Sequence, residues 1–326
     1  MPRVTQSLQV ARRITLPRNP DLFMPAMFQA AFAQWTLLVL LDVPLIVAAL
    51  VYLLGWNRLR VSRVNMIPTW RACSFLLGLL LIWVAIGSPL AAFDEESLTV
   101  HMLQHLLLMT FAPPLILLGA PVMPFLHGLP RIFVHRVVAP FFRYPLVQRA
   151  GRLFSNPVFC WFAGVAALVG WHIPAAFTLA LQSEAWHVAE HTSFLVAGFL
   201  FWWPVVQPWP SIAHWPRWSM LLYLFSATLP CDILAGYLTF CDRVVYAVYL
   251  NVPRTVGISV LADQERAGAL MLSCVTIAYL LPAAILTMEL LTPQRDRQTE
   301  AQNVPLVDAS KELELNSPSL TQPVAD

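Results

Sequence analysis

Seven nearly uncharged stretches of about 20 mostly apolar residues each run along this chain of 326 residues, and they restrict its folding more than any other feature. They cover residues 34–54, 72–93, 98–118, 158–177, 186–206, 219–240 and 267–291. A helix of that length crosses the roughly 30 Å of hydrocarbon in a bilayer. Inside lipid there is no water to bond the backbone, so runs this long must satisfy their own N–H and C=O groups as helices. The alternating pattern of barrel strands is absent. The expected fold is therefore all-α: a polytopic membrane protein with a bundle of seven transmembrane helices within residues 34–292. Composition agrees, since 58% of residues are hydrophobic and 12% charged, whereas soluble domains carry about 25% charged residues. A net charge of +2 suggests no nucleic acid, and the lipid bilayer is the expected surrounding. Residues 1–33 read as a polar or interfacial leader, and residues 293–326, rich in Gln, Glu, Asp, Ser and Pro, as a disordered cytoplasmic tail. The five cysteines form no CxxC pair, and Cys73, Cys160, Cys231 and Cys274 lie in apolar runs, so they outline no disulfide framework.

Orientation follows from the rule that cytoplasmic loops collect Lys and Arg. With the N-terminus outside, the inner side holds thirteen cations: Arg58, Arg60, Arg63, Arg71, Arg131, Arg136, Arg143, Arg149, Arg152, Arg217, Arg295, Arg297 and Lys311. The outer side holds seven cations, four of them in the leader. The loop with Asp94, Glu95 and Glu96 and the loop with Glu184 contain no cation. The expected topology is N-terminus outside and C-terminus cytoplasmic.

Five of the eight histidines then fall at outer helix ends. His101 and His105 open the third helix, His172 closes the fourth, and His187 and His191 open the fifth. Residues four apart on a helix are about 40° apart in projection, so each of the two pairs stacks on one face and can hold one metal ion. Glu190 lies on the same arc as His187 and His191, available as a third ligand or as an acceptor that orients an imidazole. Pro174 cannot donate the usual helical hydrogen bond, which leaves the Gly170 carbonyl free and predicts a kink turning Trp171 and His172 into the bundle. A lone interfacial histidine ordinarily makes a hydrogen bond. Two stacked pairs and a fifth histidine at one depth instead point to a metal site, because polar side chains at membrane depth are costly. Imidazole clusters suit copper, zinc or iron.

Weaker candidates surround that layer. Met102, Met109 and Met271 offer thioethers to Cu(I), although methionine in a helix is usually packing. Asp263, placed just before the seventh helix, is a candidate ligand that also reads as an N-cap or first-turn acid. Asp42 and Asp232 lie in the outer halves of the first and sixth helices, where a carboxylate either has a function or joins helices by a hydrogen bond. His127, His135 and His214 sit in inner loops and read as solvated or headgroup contacts.

The run His101-x-x-x-His105 continuing to Pro113-Pro114 and Gly119-Ala120-Pro121 resembles the CtaG-type cytochrome c oxidase assembly proteins, a seven-helix family. So do Trp171-His172-Ile173-Pro174, the run His187-Val188-Ala189-Glu190-His191 leading to Phe201-Trp202-Trp203-Pro204, and Asp263-Gln264 with Ala267-Gly268 and Met271. The likeness spans about residues 35–290. It implies a non-enzymatic assembly factor of the bacterial inner membrane, required for active haem–copper oxidase and delivering copper to its metal centre. Cytochrome c oxidase subunits and periplasmic copper carriers are the partners it implies, and His101, His105, His172, His187, His191 and Asp263 are the matching polar positions.

Two other chemistries compete. His187-x-x-Glu190-His191 matches the inverted zinc-protease pattern, in which two His bind zinc and Glu activates water. That reading makes the chain an intramembrane zinc hydrolase, but five histidines exceed what an open catalytic zinc needs. A bis-histidine haem or quinone electron carrier would need facing imidazoles, and stacked pairs near the interface suit a small ion better.

Overall fold

The structure is a computed structural model that describes residues 41–61, 68–208, 215–252 and 257–292. The predicted leader, the start of the first apolar run, His214 and the predicted tail lie outside the described residues. Every described element is helical or a turn. The principal helices are α1 (Leu41–Val61), α2 (Thr69–Ile86), α3 (Leu98–Leu118), α4 (Pro145–Phe154), α5 (Pro157–His172), α6 (Pro174–Gln182), α7 (Glu184–Val206), α8 (Arg217–Phe240) and α9 (Val260–Leu291).

Local chemistry explains most of the boundaries. α5 starts with Pro157 in its first turn, and Asn156 accepts hydrogen bonds from the N–H groups of Val158 and Phe159. Ser97 caps α3 and Ser259 caps α9. The last of these corrects the sequence reading: α9 begins at Val260, seven residues before the apolar run, and Asp263 lies inside its first turn. Glu265 and Arg266 end the apolar pattern without ending the helix, because a helix may leave lipid while its backbone bonds continue. α5 also differs from expectation. It ends at His172, and a new helix starts at Pro174, so Pro174 breaks the helix outright instead of kinking it. The Gly170 carbonyl is not left free but accepts from Ile173 N–H at 3.4 Å.

Five of these helices, α1, α2, α3, α8 and α9, are long and apolar enough to cross a membrane. α5 reaches that standard only together with α4, from which it is bent by 73°. Sixteen residues are too few by themselves, the consequence of the Pro174 break. α7 has the length at 23 residues, but its first turns carry Glu184, His187, Glu190 and His191. The protein is thus a membrane protein whose described residues are all-helical. Large apolar side chains such as Phe225, Ile233, Ile277 and Leu280 point outward, the inverse of a water-soluble surface.

α3 is the axis of the bundle. Two-thirds of its apolar window (67%) is buried, against 11–33% in the other four spans. It joins two cores: one with α1 and α2 around Tyr52, Phe75 and Phe194, the other with α7, α8 and α9 around Phe201, Trp202, Tyr223 and Tyr279. Close approach to α7 rests on Gly198, where an added Cβ would sit 2.6 Å from the Met109 carbonyl oxygen. That carbonyl has lost its helical donor because residue 113 is proline. The Trp202 indole N–H donates to it instead, at 3.2 Å. The backbone from Leu106 to Phe111 is a π-helical turn directly after His105, a deviation often found at functional sites.

Candidate metal centre

One end of the bundle is formed by the starts of α3, α7 and α9 and the ends of α2, α5 and α8. A 3-10 turn from Pro89 to Phe93, capped by Ser88, leads from α2 toward α3 and delivers Asp94 into the interior. α6 lays Phe177 over His101 at a centroid separation of 4.9 Å, and Phe194 of α7 covers His105 at 4.2 Å. These rings separate the polar layer from its surroundings.

Within that layer the five imidazoles form a continuous group. Ring centroids are 4.3 Å apart for His101 and His105 and 4.3 Å for His187 and His191, the two pairs expected from helical spacing. Across helices, His101 lies 5.7 Å from His187, His105 5.6 Å from His191, and His105 6.2 Å from His172. His101, His105, His172, Glu190 and His191 are all buried.

Glu190 of α7 reaches between the two histidines of α3. Its Oε1 is 3.6 Å from His101 Nε2 and 3.5 Å from His105 Nε2. A second group is built from Asp94, His101 and His187, with Asp94 Oδ2 3.3 Å from His187 Nε2. In each group the three ligand atoms all lie within 4.8 Å of one another, and His101 belongs to both. Two ligands of one tetrahedral ion, each about 2.0–2.1 Å from it, are roughly 3.4 Å apart. The observed separations match that spacing and are long for hydrogen bonds. Both ring nitrogens of His101 and His105, both carboxylate oxygens of Glu190 and Nε2 of His191 make no hydrogen bond among the described residues. Buried polar atoms are ordinarily paired, and a buried carboxylate is ordinarily paired or bound to a metal. Imidazole and carboxylate donors in this arrangement suit an ion of the copper or zinc kind.

The arrangement departs from the local zinc-protease pattern. Among the described residues, neither three-residue donor group contains both His187 and His191. Glu190 instead faces histidines from another helix.

The remaining candidates take other positions. Asp263 is fully occupied at the N-terminus of α3: its carboxylate accepts from Leu98 N–H at 2.8 Å, Thr99 N–H at 3.2 Å, Ser97 Oγ at 2.9 Å and Thr99 Oγ1 at 2.6 Å. It ties α9 to α3 and belongs to neither donor group. Gln264 beside it accepts from Val245 N–H and donates to the carbonyls of Leu238 and Arg243, fixing the segment after α8. Asp42 accepts from the Trp83 indole at 3.0 Å on the α1–α2 surface, and Asp232 lies next to Cys231 on α8; neither joins the donor groups. Met102 is buried with its sulfur 3.2 Å from His172 Nε2, and Met271 is buried nearby on α9. His127 is remote, bonded to the Met123 carbonyl at the other end of the bundle.

Three contributors escaped the sequence reading. Asp94 was one of three consecutive loop acids, and only the 3-10 turn selects it. Tyr246 and Tyr249, between α8 and α9, donate to the carbonyls of His172 and Asp94 at 3.1 and 3.0 Å and hold two site segments in place. Burial raises both phenols above their ordinary pKa, so they remain donors throughout the physiological range. No signal short of a three-dimensional structure singles out those two tyrosines.

The sequence model of the cytochrome c oxidase caa3 assembly factor family (Caa3_CtaG) matches residues 50–292, which include every residue of the imidazole–carboxylate layer. An uncharacterised protein of Mycobacterium bovis and one of Mycobacterium tuberculosis are each 26% identical over 256 residues, covering 77% of this chain and 38% of their own length. One from Mycobacterium leprae is 24% identical over the same extent. The chain therefore spans well under half the length of these curated relatives. No solved structure matches it significantly.

Proposed function

This chain belongs to the cytochrome c oxidase caa3 assembly factor family, and from that premise we propose that it is a bacterial inner-membrane assembly factor that holds copper as cargo for the oxidase metal centre. The observation that carries the copper reading is the buried layer in which Glu190 and Asp94 converge with His101, His105 and His187 at ligand-like separations. Seven membrane crossings, counting α5 and α7, with the N-terminus outside and the C-terminus cytoplasmic, belong to the same proposal. That orientation puts the layer at the periplasmic face, within reach of oxidase subunits and periplasmic copper carriers. Asp94 and Glu190 each give a donor group one negative charge, which suits a divalent ion, and zinc is the competing occupant. His191 flanks the layer as a further donor, His172 borders it with its Nε2 turned toward the Met102 sulfur, and Asp263 positions α3 rather than binding metal. The chain acts by binding and handing over, without catalysing a reaction.

The test uses the organism's own oxidase. His105→Ala and His191→Ala variants are expected to lower oxidase activity and its copper content while the protein stays in the membrane at normal abundance. Unchanged oxidase activity in both would remove the copper-handling reading.

A further inference from the structure

Directly beneath the imidazole–carboxylate layer, toward the middle of the bundle, lies a cavity of about 30 Å³, enough for one or two water-sized bodies. Four sulfur-bearing residues line it: Met102 and Met109 of α3, Cys231 of α8 and Met271 of α9. Two histidines, His105 and His172, and the hydroxyl-bearing Thr110 and Tyr279 also line it, and no carboxylate does.

Two of these groups, His172 and Met102, face each other without a proton between them. His172 Nδ1 lies 2.7 Å from the carbonyl oxygen of Leu168, an acceptor, so Nδ1 carries the ring proton and donates it there. In the neutral ring Nε2 is then a bare lone pair. It points at the Met102 sulfur 3.2 Å away, which has lone pairs and no hydrogen. A charged ring would supply the missing proton, but among the described residues no carboxylate pairs with His172, and an unpaired buried charge is strongly disfavoured. Two buried Lewis bases aimed at each other beside a small cavity form half of a coordination shell. Neutral nitrogen and thioether ligands favour a soft ion, and Cys231, which binds metal as a thiolate, offsets at most one positive charge, which matches an ion of single charge.

We infer that this cavity is a second cation position, specific for a soft monovalent ion of the Cu(I) or Ag(I) kind and ligated by His172 Nε2 and Met102 Sδ with Met271 and Cys231 alongside. The inference rests on the metal-handling reading of the chain but uses different atoms. The layer above, with its carboxylates, takes the divalent ion. His105 borders both positions, with its Nε2 3.5 Å from Glu190 and its ring 6.2 Å from that of His172, so the two are consecutive along α3.

Full-length protein in lipid nanodiscs, probed with Ag(I) as a redox-inert monovalent ion and Zn(II) as a divalent one, separates the two positions. Met102→Leu combined with Met271→Leu conserves volume and is expected to weaken Ag(I) binding about tenfold or more while Zn(II) binding stays within about twofold. Glu190→Gln is expected to do the reverse. X-ray absorption of the wild type loaded with Ag(I) should reveal sulfur scatterers, a readout independent of any variant's folding. Nitrogen-only coordination of Ag(I), or undiminished Ag(I) binding by a correctly folded double variant, overturns the inference. Loss of Zn(II) binding in the wild type with sulfur-bound Ag(I) retained supports this position and instead removes the divalent layer.

Discussion

At the scale of single residues, the site depends on carboxylates whose surroundings differ. Glu190 is enclosed by imidazoles, whereas Asp263, equally buried, is saturated by the first N–H groups and hydroxyls of α3. The two should therefore respond oppositely to replacement by an amide. Glu190→Gln should reduce retained divalent metal about tenfold or more and leave the unfolding temperature nearly unchanged, as read by elemental analysis and thermal unfolding in the same detergent. Asp263→Asn removes a charge-assisted acceptor worth about 1.5–3 kcal/mol, so it should lower the unfolding temperature while loaded protein keeps its metal. Metal loss with unaltered stability would return Asp263 to the ligand set. Histidine pairing was legible in advance because i,i+4 spacing alone puts both rings on one face. The distinction between Glu190 and Asp263 was not, since the partners of Asp263 lie more than 160 residues away in the chain.

At the scale of elements, the helices carry their own irregularities to the site. Pro113 strips the Met109 carbonyl of its donor, the π turn from Leu106 to Phe111 follows His105, and Trp202 supplies the replacement hydrogen bond. Trp202→Phe should destabilise the fold by about 1–3 kcal/mol, the cost of leaving a buried carbonyl unsatisfied, measured by chemical or thermal unfolding. A larger side chain at Gly198 attacks the same contact by forcing α3 and α7 apart. Gly198→Leu should therefore lower divalent metal retention even though it touches no ligand, because His101 and His105 reach Glu190 only across that interface. Retention equal to wild type would mean that the site tolerates helix separation. Helix positions were largely readable, because apolar length is a local property. The exceptions follow from local chemistry: Pro174 divides the fourth run into α5 and α6, and polar residues extend α9 beyond its apolar stretch.

At the scale of the whole molecule, the proposed orientation makes a direct prediction. An alkaline phosphatase fused after Ser183, at the end bearing the imidazoles, should be active, and one fused after Ser155, beside Arg149 and Arg152, should be inactive. The opposite pattern would place the imidazole–carboxylate layer on the cytoplasmic face and remove the proposed periplasmic delivery. The sequence by itself determined that lipid is the solvent, that the chain is helical, and that five histidines gather at one end, since hydropathy, helix length and residue spacing are properties of single segments. It could not specify which donor meets which. Glu190 facing α3, Asp263 capping it, Asp94 entering from a 3-10 turn and four sulfur-bearing residues lining one cavity all depend on how each helix is rotated about its axis and which neighbours it packs against. Those choices are made by contacts such as Gly198 against Met109 and Gly268 against Ala235, where backbone meets backbone and only the assembled bundle sets the register.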